Sequence, residues 1–261
     1  MRLAIGVKTF NPGSTGRSDL LRGTVRSLRQ CFDAPIYLLD NGSTEETLPL
    51  LSTCASTTGA IWKRSRSTDG NVTPGRGYNL LLEWIGRTEL EAHGALPDVV
   101  IFSDDDMHWR ADAHPQDKLR AIWGASSCPE GDWSRVAIVS GLLEPEWHWN
   151  TPRLTMRPGG VPVLVRDSAP GAAWTFRLNP LRQDGDVPII GEKLRTMLDR
   201  DGPQVFAESW GADYRFCELL RREGRTVAQV DLADHRGWGR STHGNEAPGS
   251  AMPLDRKKWG V

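Results

Sequence analysis

Long apolar runs are absent from this sequence. No stretch of its 261 residues approaches the roughly 20 consecutive apolar residues that a membrane-spanning helix requires. The first residues, MRLAIGVKTFNPG, contain only a brief apolar run and lack both the apolar core and the cleavage site of a signal peptide. We therefore expect a protein that does not insert into membranes and that resides in the cytoplasm.

Closely spaced cysteines and a strong net charge are also missing. The four cysteines are widely scattered, which fits neither a zinc ribbon nor a disulfide scaffold and favours free thiols in a reducing compartment. The formal net charge of -1 argues against nucleic-acid binding by bulk electrostatics. A local basic groove stays open as an alternative, because arginine greatly outnumbers lysine.

Short apolar segments alternate with helical patterns through the first half of the chain. Strands are predicted at 3–7, 36–39, 60–63, 99–102 and 135–141, with helices at 18–31, 45–51 and 75–85. This alternation predicts an α/β fold with a mostly parallel sheet flanked by helices. In the second half, strand-like stretches at 161–165 and 173–178 fit antiparallel strands or a loop. Helices at 190–198 and 213–223 precede a last strand at 226–230.

Polar side chains follow three of the predicted strands at the point where each strand ends. These clusters occupy residues 9–11, 40–43 and 103–106. Ligands bind to a parallel sheet beyond the carboxyl ends of its strands, so the three clusters mark a candidate site. Residues 40–43 alone are also compatible with an ordinary turn.

Three consecutive aspartates, 104–106, directly follow the predicted strand at 99–102. Alternate side chains of an extended segment point the same way, so Asp104 and Asp106 are expected to converge while Asp105 faces elsewhere. Two convergent carboxylates suit Mn²⁺ or Mg²⁺, which also bind phosphate oxygens. The alternatives are a solvated acidic loop or a helix cap.

Five segments in order resemble the GT-A glycosyltransferases, in particular their family-2-like inverting group. The segments are AIGVKTFNP, YLLDNGST, TPGRGYNLLL, VVIFSDDDM and WGADYRFCELLRREGRTVAQVDLADH. The resemblance implies one GT-A, Rossmann-like domain over residues 1–261, with a small antiparallel acceptor-side region. Residues 1–110 would bind the nucleotide sugar, and residues 111–261 would bind the acceptor and carry the catalytic base. Residues 144–183 match the family only loosely.

For the donor, the resemblance implies a pocket built from the strand-end clusters and a glycine-rich turn. Asp40 would accept a hydrogen bond from the nucleobase, which is uracil in most relatives. Arg76 and Asn79 would approach the ribose or the diphosphate, and glycines 75 and 77 allow a close backbone approach there. The full set implied for donor binding is Thr9, Phe10, Asn11, Asp40, Asn41, Arg76, Asn79, Asp104, Asp105 and Trp210.

For the cation, Asp104 and Asp106 match the family's DxD motif. Asp106 would bind the cation directly, and Asp104 would contact the ribose or a metal-bound water. His235 follows the last predicted strand, where many relatives place a histidine that completes the metal site. It is equally compatible with a structural histidine, and Asp234 is a candidate substitute. Asp105, between Asp104 and Asp106, is assigned to the donor sugar.

For the acceptor, Asp213 matches the catalytic base at the start of the family's acceptor-side helix. Relatives usually carry Glu-Asp there, and Ala212 replaces the first acid. A carboxylate at a helix N-terminus is also a common cap. Trp210 and Trp174 are candidates to stack on a sugar ring, with core packing as the alternative for Trp174.

The implied reaction is the transfer of a sugar from a nucleotide sugar, such as a UDP-sugar, to an acceptor hydroxyl, with inversion. The acceptor is a saccharide or glycoconjugate by default. A hydroxylated nucleic-acid base is the alternative, with phosphates meeting Arg153, Arg157, Arg166 and Arg177. Two other classes stay open, a sugar-phosphate nucleotidyltransferase and a non-catalytic nucleotide-sugar-binding module. No obligate protein partner is expected.

Overall fold

A computed structural model describes residues 1–10, 18–65, 73–142, 153–169, 171–180, 188–200, 204–206 and 212–236. Its helices are α1 Ser18–Cys31, α2 Leu48–Thr58, α3 Pro74–His93, α4 Pro115–Gly124, α5 Ile189–Arg200 and α6 Ala212–Arg222. Its strands are β1 Leu3–Thr9, β2 Ile36–Asp40, β3 Ile61–Arg64, β4 Val99–Asp104, β5 Met107–Trp109, β6 Val136–Leu142, β7 Leu154–Met156, β8 Val163–Arg166, β9 Trp174–Arg177 and β10 Thr226–His235. Short 3₁₀ turns precede α2, α4, β6, β8 and β9.

The strands within these ranges form a single mixed sheet. Its order is β3-β2-β1-β4-β9-β6-β10-β8-β7, and β5 pairs with β10. Strands β3, β2, β1 and β4 are parallel neighbours, as are β6 and β10. Strand β9 runs antiparallel between β4 and β6, and β7 and β8 add an antiparallel edge beyond β10. The predicted α/β class, with a mostly parallel sheet and a small antiparallel region in the second half, is confirmed.

Both faces of the sheet are covered by helices. Along β4, Val99 and Ile101 pack on one side, while Val100 and Phe102 pack on the other. The first side is covered by α1, α2 and α4, and the second by α3, α5 and α6. This two-sided burial explains why the central strands read as continuous apolar runs rather than as alternating ones.

Several elements extend beyond their predicted bounds. Strand β10 continues to His235 instead of ending at residue 230, so His235 is the last residue of the strand rather than a residue beyond it. Its register shifts between Gln229 and Ala233, where Asp231 interrupts the apolar run that marked the strand. After this irregularity β10 pairs with β5, a strand of three residues. Pairing over such a distance leaves no local pattern to predict from.

Two further features bear on the opening expectations. The four cysteines all lie within the described ranges and are free thiols there. Among the described residues, no helix combines the length and the apolarity needed to cross a bilayer.

Candidate active site

The strand register aligns a row of polar side chains along one edge of the sheet. Arg64 of β3 lies beside Asp40 of β2, and Asp40 lies beside Thr9 of β1. One residue earlier on β1, Lys8 is the register partner of Asp104 of β4. Four neighbouring parallel strands therefore end together and present two carboxylates, a guanidinium, an ammonium and a hydroxyl. This row corresponds to the edge predicted from the polar clusters.

The Asp40 carboxylate is fully buried at the end of β2. Its Oδ1 accepts a hydrogen bond from the Ser43 backbone N–H at 2.9 Å. Its Oδ2 has no hydrogen-bond donor among the described residues and lies 3.5 Å from Nε of Arg64. Arg64 is itself held by the Ser43 carbonyl at 2.6 Å and by Glu45 at 2.5 Å. Asp40 thus retains one buried oxygen that accepts no hydrogen bond and lies beneath an arginine.

The first turn of α3 approaches the row closely because it contains a glycine. A Cβ on Gly77 would lie 2.9 Å from both the Asn41 Oδ1 and the Lys8 Cδ atoms. Asn41 is buried, and its backbone N–H donates to the Thr9 carbonyl at 2.8 Å. Arg76 lies exposed in the same turn of α3. The glycine thus brings the start of α3 against the ends of β1 and β2.

Each of the three consecutive aspartates contacts a different side chain. Asp104 lies 3.6 Å from the Lys8 ammonium, Asp105 accepts a 2.5 Å hydrogen bond from the Thr9 hydroxyl, and Asp106 lies 3.3 Å from His235. Strand β4 ends at Asp104, and the two following residues form the turn into β5, so the alternation of an extended strand does not apply to them. Asp105 and Asp106 are buried, while the Asp104 side chain is 32% exposed.

Two of the three predicted metal ligands come together. The Asp106 Oδ2 and His235 Nε2 atoms are 3.3 Å apart, a separation that two ligands of one cation can have when each metal bond is about 2.1 Å. The Arg236 backbone N–H, donating to the Asp106 carbonyl at 2.8 Å, ties the aspartate turn to the end of β10. No cluster of three or more His, Cys, Asp or Glu side chains suited to a metal occurs in the described ranges. The pair therefore fits a cation whose remaining ligands are phosphate oxygens or water.

Asp234 does not share this arrangement. It pairs with His108 across the β5–β10 ladder, one position before His235. Successive side chains of a strand point to opposite faces, so Asp234 and His235 are directed away from one another. The substitution of Asp234 for His235 is therefore not supported by the strand geometry.

Tyr78 of α3 links the strand edge to the start of α6. Its hydroxyl lies 3.2 Å from the Asp104 Oδ1 atom and 3.1 Å from the Gly171 carbonyl. The Gly171 backbone N–H in turn donates to the Asp213 Oδ2 atom at 3.3 Å. Above the ring, the Lys8 ammonium lies 3.9 Å from the ring centroid. Tyr78 and Gly171 thus form a short link between Asp104 and Asp213, which are far apart in the sequence.

The link is closely packed and neutral at its centre. A Cβ on Gly171 would lie 2.9 Å from the Tyr78 hydroxyl and 3.1 Å from the Asp213 Cβ, so only glycine fits here without displacing a neighbour. Burial, followed by the negative charges of Asp104, Asp213 and Asp106, raises the pKa of Tyr78 well above its ordinary value. Tyr78 therefore stays protonated and acts as a hydrogen-bond donor between acceptors.

The remaining predicted donor-site residues are placed differently. Phe10 lies partly buried just after β1. Asn79 is buried, and its side-chain amide exchanges two hydrogen bonds with the Phe206 backbone, at 2.8 and 2.9 Å. A contact between Asn79 and the ribose or diphosphate would require those hydrogen bonds to break. Asn11 and Trp210 lie outside the described residues.

Two second-half residues named as candidates for ligand contact are buried in the structure. Trp174 is fully buried and packs against the rings of Tyr78, Phe206 and Phe216, so it cannot stack on a substrate, and the core alternative holds. Arg166 is fully buried in β8 and cannot reach a phosphate. Its burial reflects the position of β8 between β7 and β10, which the charge of the side chain does not reveal.

The other three arginines proposed for phosphate contact each contact a different side chain. Arg153 pairs with Asp167, and Arg157 lies 3.6 Å from Glu130. Arg177 lies over the Trp123 ring, 5.8 Å from its centroid, and its burial lowers its pKa. Arg153 and Arg157 are thus paired with carboxylates while Arg177 contacts an aromatic ring, and phosphate contact by these arginines stays a prediction.

Lys8, Arg64, Tyr78 and Gly171 were not identified as site residues from the sequence. Lys8 and Arg64 directly follow the strands predicted at 3–7 and 60–63, so the position beyond a parallel strand was a usable signal for both. Tyr78 lies on a helix beside apolar residues, and Gly171 lies in a segment that matches no motif. For these two the signal exists only in the tertiary contacts.

Neither a family model nor a curated protein matches the chain. In three dimensions it is similar to S. aureus TarS 1-349, with 15% identity and a TM-score of 0.49, over 88% of this chain and 58% of that one. It is also similar to the mannosyltransferase PcManGT from Pyrobaculum calidifontis in complex with GDP-Man and Mn²⁺, with 17% identity and a TM-score of 0.49, over 88% of this chain and 54% of that one. The chain thus spans little more than half the length of these two structures. Likeness at this level carries no argument about activity, which has to be derived from the site.

Proposed function

We propose that the chain is a glycosyltransferase that moves a sugar from a nucleotide sugar to an acceptor hydroxyl. The observation that carries the proposal is the link from Asp104 through Tyr78 and Gly171 to Asp213. The link connects Asp104, at the strand edge where a nucleotide would bind, to Asp213 at the start of α6. A displacement reaction needs this pairing of a donor site with a nearby base.

The proposed donor site is the polar row along the sheet edge. Asp40 would accept a hydrogen bond from the nucleobase through Oδ2, since Oδ1 is already occupied by Ser43. One remaining acceptor matches the single imide N–H of uracil better than the paired N–H donors of guanine, which favours a UDP-sugar. Arg64 covers Oδ2 and has to move for the base to reach it. Lys8 and the exposed Arg76 would meet the diphosphate.

Asp213 is proposed as the base that accepts the proton of the acceptor hydroxyl. The backbone N–H groups of Tyr214 and Gly171 donate to its two oxygens, at 2.9 and 3.3 Å, and so fix the orientation of a partly exposed carboxylate. As the acceptor oxygen forms its bond to the anomeric carbon, the bond from that carbon to the diphosphate oxygen breaks. The nucleoside diphosphate leaves with the electron pair, the proton passes to Asp213, and the anomeric configuration inverts.

Asp106 and His235 would hold a divalent cation, Mn²⁺ or Mg²⁺. When bound, such an ion offsets the negative charge that the departing diphosphate gains. Buried Asp105 keeps Thr9 in place at the neighbouring strand end through their hydrogen bond. A contact between Asp105 and the donor sugar stays part of the proposal.

The test measures nucleoside diphosphate release from a panel of UDP- and GDP-sugars, with Mn²⁺ and with EDTA. We expect Asp213→Asn and Asp106→Asn each to abolish transfer while leaving the melting temperature within a few degrees of the wild type. Glu91→Gln, which alters an exposed carboxylate of α3 remote from the row, is the matched control and should retain full turnover. Full turnover by Asp213→Asn would refute the assignment.

The same assay separates the competing classes. A nucleotidyltransferase would release pyrophosphate from a nucleoside triphosphate and a sugar phosphate. A non-catalytic module would bind the nucleotide sugar, detectable by calorimetry, and release no product.

A further inference from the structure

A surface cavity of about 360 Å³ opens beside α6, away from the polar row. Its α6 side chains recur every three or four positions and so form one face of the helix. The opposite wall comes from the segment that follows β8. The volume falls in the range of sites that bind small organic ligands, about 300–1,000 Å³. The lining residues are Asp167, Ser168, Tyr214, Cys217, Glu218 and Arg221.

The cavity and the proposed base share one seam, which is the contact between α6 and residues 167–169 and 171. The seam is closed at two points, where the Gly171 N–H donates to Asp213 and where the Cys217 Sγ contacts the Ala169 carbonyl at 3.7 Å. Cys217 is buried and is one of the residues that line the cavity. Tyr214, the first α6 residue of the lining, directly follows Asp213. From there the helix face runs about 10 Å further, at 1.5 Å per residue.

The lining chemistry suits a neutral, hydroxyl-rich ligand. The Tyr214 side chain is 56% exposed and offers an aromatic face, on which the C–H face of a sugar ring can pack. Two carboxylates, those of Asp167 and Glu218, can accept hydrogen bonds from sugar hydroxyls. Each is anchored by an arginine, Asp167 by Arg153 and Glu218 by Arg222 at 2.6 Å.

The same lining disfavours a phosphodiester backbone. A phosphate would meet two carboxylates and only one lining cation, Arg221. Arg153 and Arg222 are already paired with those carboxylates. Like charges at contact distance repel one another, so the two carboxylates of the lining oppose a phosphate there. Of the two acceptor classes that the sequence left open, the lining therefore favours a saccharide over a nucleic acid.

We propose that this cavity binds a neutral sugar unit of the acceptor, the unit next to the one whose hydroxyl reaches Asp213. The inference rests on the proposed function in so far as Asp213 is the base. It goes further by making the acceptor a saccharide of at least two units rather than a nucleic acid. Tyr214 is the stacking residue, and Glu218 and Asp167 select hydroxyls.

Binding is tested by saturation-transfer NMR on the whole chain. The probes are neutral disaccharides of glucose, galactose, mannose and N-acetylglucosamine, their monosaccharides, and a duplex oligonucleotide that carries hydroxymethylated bases. We expect at least one disaccharide to bind about tenfold more tightly than its monosaccharide. Tyr214→Ala and Glu218→Gln should each weaken that binding about tenfold, and Tyr214→Phe should retain it.

Leu219→Ala is the matched control, since Leu219 is exposed on α6 but does not line the cavity. It should bind the disaccharide as the wild type does. In the turnover assay, the disaccharide that binds should accelerate nucleoside diphosphate release, and Tyr214→Ala should raise its KM with little effect on kcat.

The outcomes separate this inference from the proposed function. Binding to the oligonucleotide with no binding to any disaccharide, or equal binding by Tyr214→Ala and Leu219→Ala, overturns the inference. Nucleotide release from the donor alongside either result leaves the proposed function intact. Disaccharide binding that depends on Tyr214, with no donor turnover under any condition, supports the cavity as a saccharide site and refutes the transferase.

Discussion

The substitution Gly171→Ala probes the contact on which the proposed mechanism depends most. The added methyl group would lie 2.9 Å from the Tyr78 hydroxyl and 3.1 Å from the Asp213 Cβ, whereas ordinary contacts begin near 3.4 Å. Tyr78 cannot yield easily, because its ring stacks on Phe102 at a centroid distance of 5.4 Å and on Trp174 at 6.1 Å. The added methyl group is therefore expected to displace mainly Gly171 itself and Asp213.

The expected size of the effect follows from these distances. Both neighbours are too close by a few tenths of an ångström, so we expect Asp213 to move by roughly half an ångström. Since a misplacement of 1 Å costs about 100-fold in rate, kcat should fall about tenfold. Overpacking should also lower the free energy of unfolding by about 1–2 kcal/mol. The donor KM should stay unchanged, since Asp40 and Arg64 do not contact Gly171.

Steady-state nucleoside diphosphate release and urea denaturation measure the two effects separately. A kcat within twofold of the wild type would refute the argument that Gly171 sets the position of Asp213. A loss of activity that tracks the loss of folded protein would reduce Gly171 to a purely structural glycine. Gly23→Ala provides the control, because it adds the same methyl group where nothing lies within 4 Å.

Two further expectations concern the rest of the fold. Gly23 lies within α1, so Gly23→Ala should itself raise the free energy of unfolding by about 0.5–1 kcal/mol in urea denaturation, and a destabilised variant would contradict the open space seen there. Burial, and secondarily the charge of Asp112, raises the pKa of the Cys31 thiol to about 11. Iodoacetamide labelling of Cys31, followed by mass spectrometry, should therefore accelerate about tenfold per pH unit towards that value. A labelling rate that levels off near pH 9 would contradict the raised pKa of Cys31. The substitution Asp112→Asn should shift the pH at which the rate levels off to a lower value.

The sheet and much of the site were predictable because parallel strands end together. Apolar runs located β1, β2 and β4, and the polar residues behind them had to meet at one edge. Thr9, Asp40 and Asp104 accordingly lie on neighbouring strands. The helix after Ala212 was equally predictable, because Gly224 marked its end in the sequence. In the structure α6 ends two residues before Gly224, whose φ of 71° favours glycine.

What escaped prediction depends on contacts between distant segments. Asp105 and Asp106 leave the strand because β5 turns back to pair with the end of β10, and no local pattern encodes that pairing. Trp174 is buried because α3 and α6 place aromatic rings around it. The link through Tyr78 and Gly171 likewise exists only after α3, the 171 segment and α6 have packed together. Sequence periodicity identifies which face of an element is buried, but not what covers it.

The row of Arg64, Asp40, Thr9 and Asp104 owes its alignment to backbone pairing. The positions of the four Cα atoms are set by ladder hydrogen bonds of parallel strands, to which side chains contribute nothing. Replacing one of these side chains therefore changes the chemistry at a point of the edge without moving that point. The strand ends therefore stay in place when their side chains are exchanged. If the proposed function holds, substitutions at Asp40 and Arg64 should change which nucleobase is preferred while the rest of the row keeps its position.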